Sequence, residues 1–119
     1  MSQSLADLFG SSATETETTV TIDLNDFVDE NGVVLLADIS NSNPAQKVAA
    51  WLAWLHRTQA PQVDENGNTI VDKTQAIVPQ VAFTTKTFEV RDDESQIKNE
   101  LDFAVYTRDN VGFDPDDAV

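Results

Sequence analysis

The chain has no cysteine, a single histidine, four glycines, four prolines and only seven basic residues among its 119. Without cysteine there is no disulfide framework, no thiol nucleophile and no zinc-ribbon or iron–sulfur site. With His56 as the one imidazole, every Ser–His or His–metal scheme rests on a single position. That histidine falls late in an expected helix beside Arg57, where capping or surface packing suits it better than catalysis. The glycines, at 10, 32, 67 and 112, are too far apart to form a phosphate-cradling loop. No apolar run approaches the roughly 18 residues of a membrane helix. The opening MSQSLADLFG has neither the base nor the apolar stretch of a signal peptide. A soluble protein, cytoplasmic or part of a virion, is expected.

The scarcity of bases leaves twenty-one Asp+Glu against seven Lys+Arg, a formal net charge of −14. Such a chain is ill suited to line a cationic groove for nucleic-acid phosphates or to lie on an anionic membrane. The excess is uneven. Residues 1–43 carry eight acids and no base, residues 44–88 three acids against four bases, and residues 89–119 ten acids against three bases. A solvated acidic surface accounts for this, and so do two acidic flanks that meet a basic partner.

What is present supports one modest core in one domain: 40% hydrophobic residues, including six Phe, two Trp and one Tyr. Asn43 as N-cap and Pro44 at the first helical position start the clearest element, an amphipathic helix over 44–59. Val48, Trp51, Leu52 and Leu55 recur along it at helical spacing, and Trp54 widens the apolar face. Alternation over 18–24 puts Val20, Ile22 and Leu24 on one side of a strand, and 33–36 reads as a buried strand. The pentapeptide Val-Asp-Glu-Asn-Gly occurs at 28–32 and again at 63–67, each copy a hairpin turn. Residues 80–91 form a long strand candidate whose apolar parity switches near Thr85, which a bulge would reconcile. A charged turn over 91–96 leads to a returning strand with Ile97, Leu101, Phe103 and Val105 on one face. The expected fold is therefore α+β: a mostly antiparallel sheet of about five strands with one amphipathic helix. Residues 1–17 form an N-terminal arm and linker, 18–109 the domain, and 110–119 an acidic tail.

Catalytic equipment is thin, and no enzymatic activity, cofactor or small-molecule substrate is expected. Adjacent carboxylates abound, but no pair is singled out for acid–base work. Asp64, Asn66 and Asn68 alternate as oxygen donors like the start of a calcium loop. The pattern then departs from an EF-hand, because Gly67 falls between the second and third donors and Gln75 stands at the twelfth position. The residues best suited to a partner are apolar ones at the ends and on the helix: Leu5, Leu8, Phe9, Trp54 and Phe113. Leu5, Leu8 and Phe9 make one amphipathic turn between Ser4 and Gly10, able to dock in a partner's groove or to fold back on its own core. The expected function is that of a non-enzymatic structural or accessory subunit of a larger assembly. It would dock through its terminal arms on other subunits, copies of itself included, in the manner of virion head, neck and tail components. The alternative is an acidic nucleic-acid mimic that occupies a basic protein surface.

Overall fold

Residues 3–60, 62–70, 75–80, 87–107, 112 and 115–118 are described by the computed structural model. Helices α1 (Leu5–Phe9) and α2 (Pro44–Gln59) accompany strands β1 (Thr14–Glu15), β2 (Val20–Thr21), β3 (Gln62–Val63), β4 (Thr69–Ile70), β5 (Ile77–Gln80), β6 (Thr87–Arg91), β7 (Glu94–Lys98) and β8 (Asp102–Val105). Short 3₁₀ turns span Leu24–Asp26 and Pro115–Asp117. The class is α+β, with every strand pairing antiparallel among the described residues.

Helix α2 begins where Asn43 accepts a hydrogen bond from the Gln46 amide at 2.8 Å and the Gln46 side chain accepts one from the Asn43 amide at 2.8 Å. This reciprocal cap, with Pro44 at the first helical position, satisfies N–H groups the helix cannot pair internally. The buried side of α2 differs from the expected one. Ala50, Trp54 and Leu55 are buried, whereas Val48 is 53% exposed. The stripe runs through 50, 51, 54 and 55, because the core lies where Phe27 meets Trp54, with ring centroids 5.1 Å apart. Leu8, Leu24, Leu36, Ile77 and Phe103 close around this cluster. Val78 and Pro79 of β5 are also fully buried.

The strands do not form one sheet of about five members. Four separate two-stranded ladders are present among the described residues: β1–β2, β3–β4, β5–β8 and β6–β7. The expected strand over 18–24 shrinks to Val20–Thr21, since Leu24 turns into a 3₁₀ helix capped by Asp23. The run at 33–36 contributes a single bridge, Val34 to Val28. The switch of parity near Thr85 lies outside the described residues. The returning strand divides: β7 pairs with β6, and β8 pairs with β5. The break falls between β7 and β8, at residues 99–101; the turn at Asp92-Asp93, where both residues have positive φ (52° and 62°), instead joins β6 to β7. That conformation makes a two-residue hairpin, from which the five pairs of β6 and β7 run to Thr87–Lys98.

The two copies of Val-Asp-Glu-Asn-Gly adopt one conformation. In the first, the Asp29 Oδ1 accepts from the amides of Asn31 (2.8 Å) and Val33 (3.0 Å). In the second, the Asp64 Oδ1 accepts from the amides of Asn66 (2.9 Å) and Asn68 (2.8 Å). Each Gly donates to the Asp carbonyl at 3.0 Å, and Gly32 and Gly67 share φ values of 79° and 82°. The flanking pairs correspond too, Val28 with Val34 and Val63 with Thr69. The expected hairpin turns are thus observed in both places, built by the same Asx chemistry.

Candidate functional site

Residues 3–12 lie along the body of the domain. The Ser4 hydroxyl accepts from the Asp7 amide and the Asp7 carboxylate from the Ser4 amide, both at 3.1 Å, which closes α1. Its apolar side meets α2. Phe9 stacks on Trp51 with centroids 5.6 Å apart and planes 9° from parallel, and Trp51 Nε1 donates to the Leu8 carbonyl at 2.8 Å. Gln3 reaches further. Its amide nitrogen donates to the Ile77 carbonyl and its oxygen accepts from the Ile77 amide, both at 3.0 Å. A side-chain amide offers the donor and acceptor of a peptide group, so Gln3 substitutes for one residue of a neighbouring strand along β5. At the far end the Ser12 amide and hydroxyl donate to the two Asp26 carboxylate oxygens at 2.8 and 3.2 Å. The chain between them passes Asp26 at Gly10, where a Cβ would stand 2.8 Å from the Asp26 side chain.

Four of the five residues expected to meet a partner are placed. Leu5, Leu8 and Phe9 are half-buried, with Leu8 against the core and Phe9 on Trp51. Of the two outcomes open to this turn, folding back is the one observed. Trp54 is 8% exposed and packed on Phe27, so it is not a surface indole. Phe113 lies outside the described residues.

Several acids are taken up by local structure. Asp7, Asp23, Asp26, Asp29 and Asp64 each accept from backbone amides at caps and turns. Asp38 accepts from Asn41 Nδ2 at 2.7 Å and Ser40 Oγ at 3.0 Å. Those hydrogen bonds, the one from Asn41 foremost, hold its carboxyl below the usual value. Asp64 of the calcium-like run is thus engaged by its own loop. Among the described residues no group of three or more His, Cys, Asp or Glu converges as a metal site. His56 sets its ring edge-on to Phe103, with centroids 6.2 Å apart and planes 82° apart, a packing role. An open cleft of about 430 Å³ borders Ser12, Ile22, Asp23 and Ile39. Its carboxylate, Asp23, already accepts from the Asn25 amide and side chain at 2.9 and 3.0 Å.

The surface with unused capacity is the β6–β7 hairpin. Its register sets Phe88 opposite Ile97 and Val90 opposite Ser95, so Phe88, Val90 and Ile97 share one face. They are 79%, 77% and 52% exposed. The other face carries Glu89, Arg91, Glu94, Gln96 and Lys98. There Lys98 Nζ lies 3.0 Å from Glu100 and 3.7 Å from Glu89. The hydrogen bond and charge of Glu100, then the charge of Glu89, raise the Lys98 pKa above its usual value. None of the three apolar residues was among those expected to meet a partner. The available signal was the alternation Phe88-Glu89-Val90-Arg91 running straight into Asp92-Asp93, which marks a hairpin with one apolar side.

Comparison of the chain with protein-family models, with curated proteins and with solved structures returns no match. Among the described residues no helix is long and apolar enough to cross a membrane.

Proposed function

We propose that the chain is a non-enzymatic subunit of a larger protein assembly, of the kind that virion heads, necks and tails contain, and that it docks through the β6–β7 hairpin. The observation that carries this reading is the apolar face of Phe88, Val90 and Ile97, exposed on a two-stranded ribbon. Isolated apolar residues on a surface are ordinary, but three aligned on one face of a strand pair form a ready contact for another protein. Docking through the N-terminal turn has less support, since Leu8 and Phe9 are engaged by the chain's own core and Trp51. The acidic-mimic alternative also has less support. Six aspartates serve caps and turns at irregular positions rather than forming a regular array.

The test is site-specific photocrosslinking in cells that make the protein. A benzoylphenylalanine at position 88 is expected to give a discrete adduct with one partner. The same group at position 48, on the exposed side of α2, is expected to give none. Equal adducts at both positions, or none at 88, would remove the hairpin as the docking element.

A further inference from the structure

The outer edge of β7 has no partner strand among the described residues, and its sequence is complementary to itself. We propose that it pairs with the β7 edge of a second copy of this chain, antiparallel about a two-fold axis at Gln96. This inference rests on the reading of the hairpin as the docking element and names the occupant of its free edge, leaving the apolar face open to another subunit.

The geometry follows from the turn. Arg91 and Glu94 flank the two-residue Asp92-Asp93 turn, so that pair exchanges both of its hydrogen bonds. Alternation then directs the N–H and C=O groups of Glu94, Gln96 and Lys98 toward β6 and those of Ser95 and Ile97 outward. An antiparallel partner centred on Gln96 sets Ser95 against Ile97 of the other copy. Both residues of that pair present outward groups, and two-fold symmetry makes the pair twice. The same register sets Glu94 against Lys98 of the other copy, also twice, at closely spaced non-hydrogen-bonded positions where side chains meet. Centring on Ile97 instead sets Glu94 against Glu100 and Lys98 against Gln96, whereas the Gln96 register opposes acids, Asp92 and Glu100, only beyond the ends of β7. Centring between residues opposes outward groups with inward ones.

The β6 edge is unsuited to the same pairing. There the outward residues are Phe88 and Val90, and an antiparallel copy centred between them on Glu89 opposes two carboxylates. Self-complementarity on one edge alone produces a closed dimer with the strand order β6-β7-β7-β6 rather than an open fibre. The apolar faces of the two hairpins then lie on one side of the four-stranded ribbon, with the two Ile97 side chains diagonal neighbours across the axis.

Charge sets the conditions. Two chains of net charge −14 repel over a Debye length of about 30 Å at 0.01 M salt, but over only about 8 Å at 0.15 M. The dimer is therefore expected at physiological ionic strength and not at low salt. A contact confined to an edge pairing buries less than the roughly 1,200 Å² of a stable interface, so the dimer is weak and concentration-dependent.

Sedimentation velocity over a concentration series of the full chain, at both salt levels, tests the proposal. The native chain is expected to dimerise at the higher salt only. Glu94→Lys opposes like charges at both symmetric contacts, and Lys98→Glu does the same with opposite sign. Each variant is expected to weaken dimerisation at least about tenfold. An equimolar mixture of the two restores unlike charges at both contacts and is expected to dimerise again. Ser95→Pro removes an outward N–H and leaves the β6 ladder its donors, so it too is expected to abolish the dimer, with circular dichroism confirming that the fold persists. A native chain that stays monomeric at 0.15 M salt, or a mixture no more associated than its components, overturns the proposal. A monomeric chain whose position 88 still crosslinks to another protein overturns the dimer and leaves the docking reading standing.

Discussion

Residues 3–12 and the β6–β7 hairpin are both short apolar-bearing segments beside the same domain, yet they have opposite fates. The first is fastened at three points: Gln3 on Ile77, Leu8 and Phe9 on Trp51, and Ser12 on Asp26. The second fastens to itself through five cross-strand pairs and leaves Phe88, Val90 and Ile97 uncovered. Helix α1 has five residues, too few to be stable alone in water, so it exists because α2 receives it. The hairpin pairs its inward backbone groups within its own ladder, marginal as a lone two-stranded ribbon is in water. Apolar exposure is the consequence. A segment that depends on the core for its conformation spends its apolar surface there, and one that does not keeps it available.

The comparison is broken most strongly by setting an aromatic of the core that receives α1 against one of the hairpin. Trp54→Ala removes a core side chain and is expected to cost about 3–5 kcal/mol, read as a large loss in a urea or thermal unfolding curve. Phe88→Ser, on the exposed hairpin, is expected to change the same curve by less than about 0.5 kcal/mol. Equal losses would mean that the hairpin packs on the body.

Next in size is Gly10→Ala. The backbone there has φ of 100°, and the new Cβ would meet Asp26 at 2.8 Å. A cost of about 1–3 kcal/mol is expected. Rapid amide exchange over residues 4–12, with the amides of α2 unchanged, would localise it to the fastened segment.

A smaller effect of opposite sign is expected in the hairpin. Asp92 and Asp93 both occupy the left-handed region, which a two-residue turn of this type gives preferentially to Asn-Gly. Asp92→Asn with Asp93→Gly is expected to stabilise the ribbon by about 0.5–1 kcal/mol, seen as slower exchange of the Glu89 and Gln96 amides.

The smallest effect is the pH response of Lys98. Because Glu100 and Glu89 raise its pKa in the folded chain, the associated stabilisation is complete below the usual value of 10.5. It is lost as pH rises through the raised value. Chemical shifts of Lys98 and Glu89 are expected to change together above pH 10.5, while those of α2 hold steady.

Local elements with their own chemistry were legible in the sequence. Helix α2 is found at the expected residues because Asn43, Pro44 and Gln46 dictate its start. Both Val-Asp-Glu-Asn-Gly turns form because the Asp side chain and the Gly backbone act within five residues. Strand partnership was less legible. The alternation at Val20, Ile22 and Leu24 looked like a buried strand, but Asp23 caps a 3₁₀ turn there, and Val20 and Ile22 remain exposed. Continuity from Ile97 to Val105 looked like one strand, whereas β7 and β8 have different partners. The candidate site followed the same division. The alternation that makes the hairpin's apolar face is written in residues 88–97, and whether anything covers that face is not.

The sequence by itself determined the α+β class, the single long helix with its cap, the two twin turns and the acidity that supplies carboxylates to those caps and turns. Each depends on groups a few residues apart, whose geometry the chain enforces locally. Only the tertiary structure decided which apolar residues are buried. It rotated the buried stripe of α2 away from Val48, drew Leu8 and Phe9 inward, hid Trp54 and left Phe88 outside. Burial is a property of neighbours distant in sequence. An apolar side chain gains from leaving water wherever a core can receive it, and no local pattern says which of several equivalent candidates that will be.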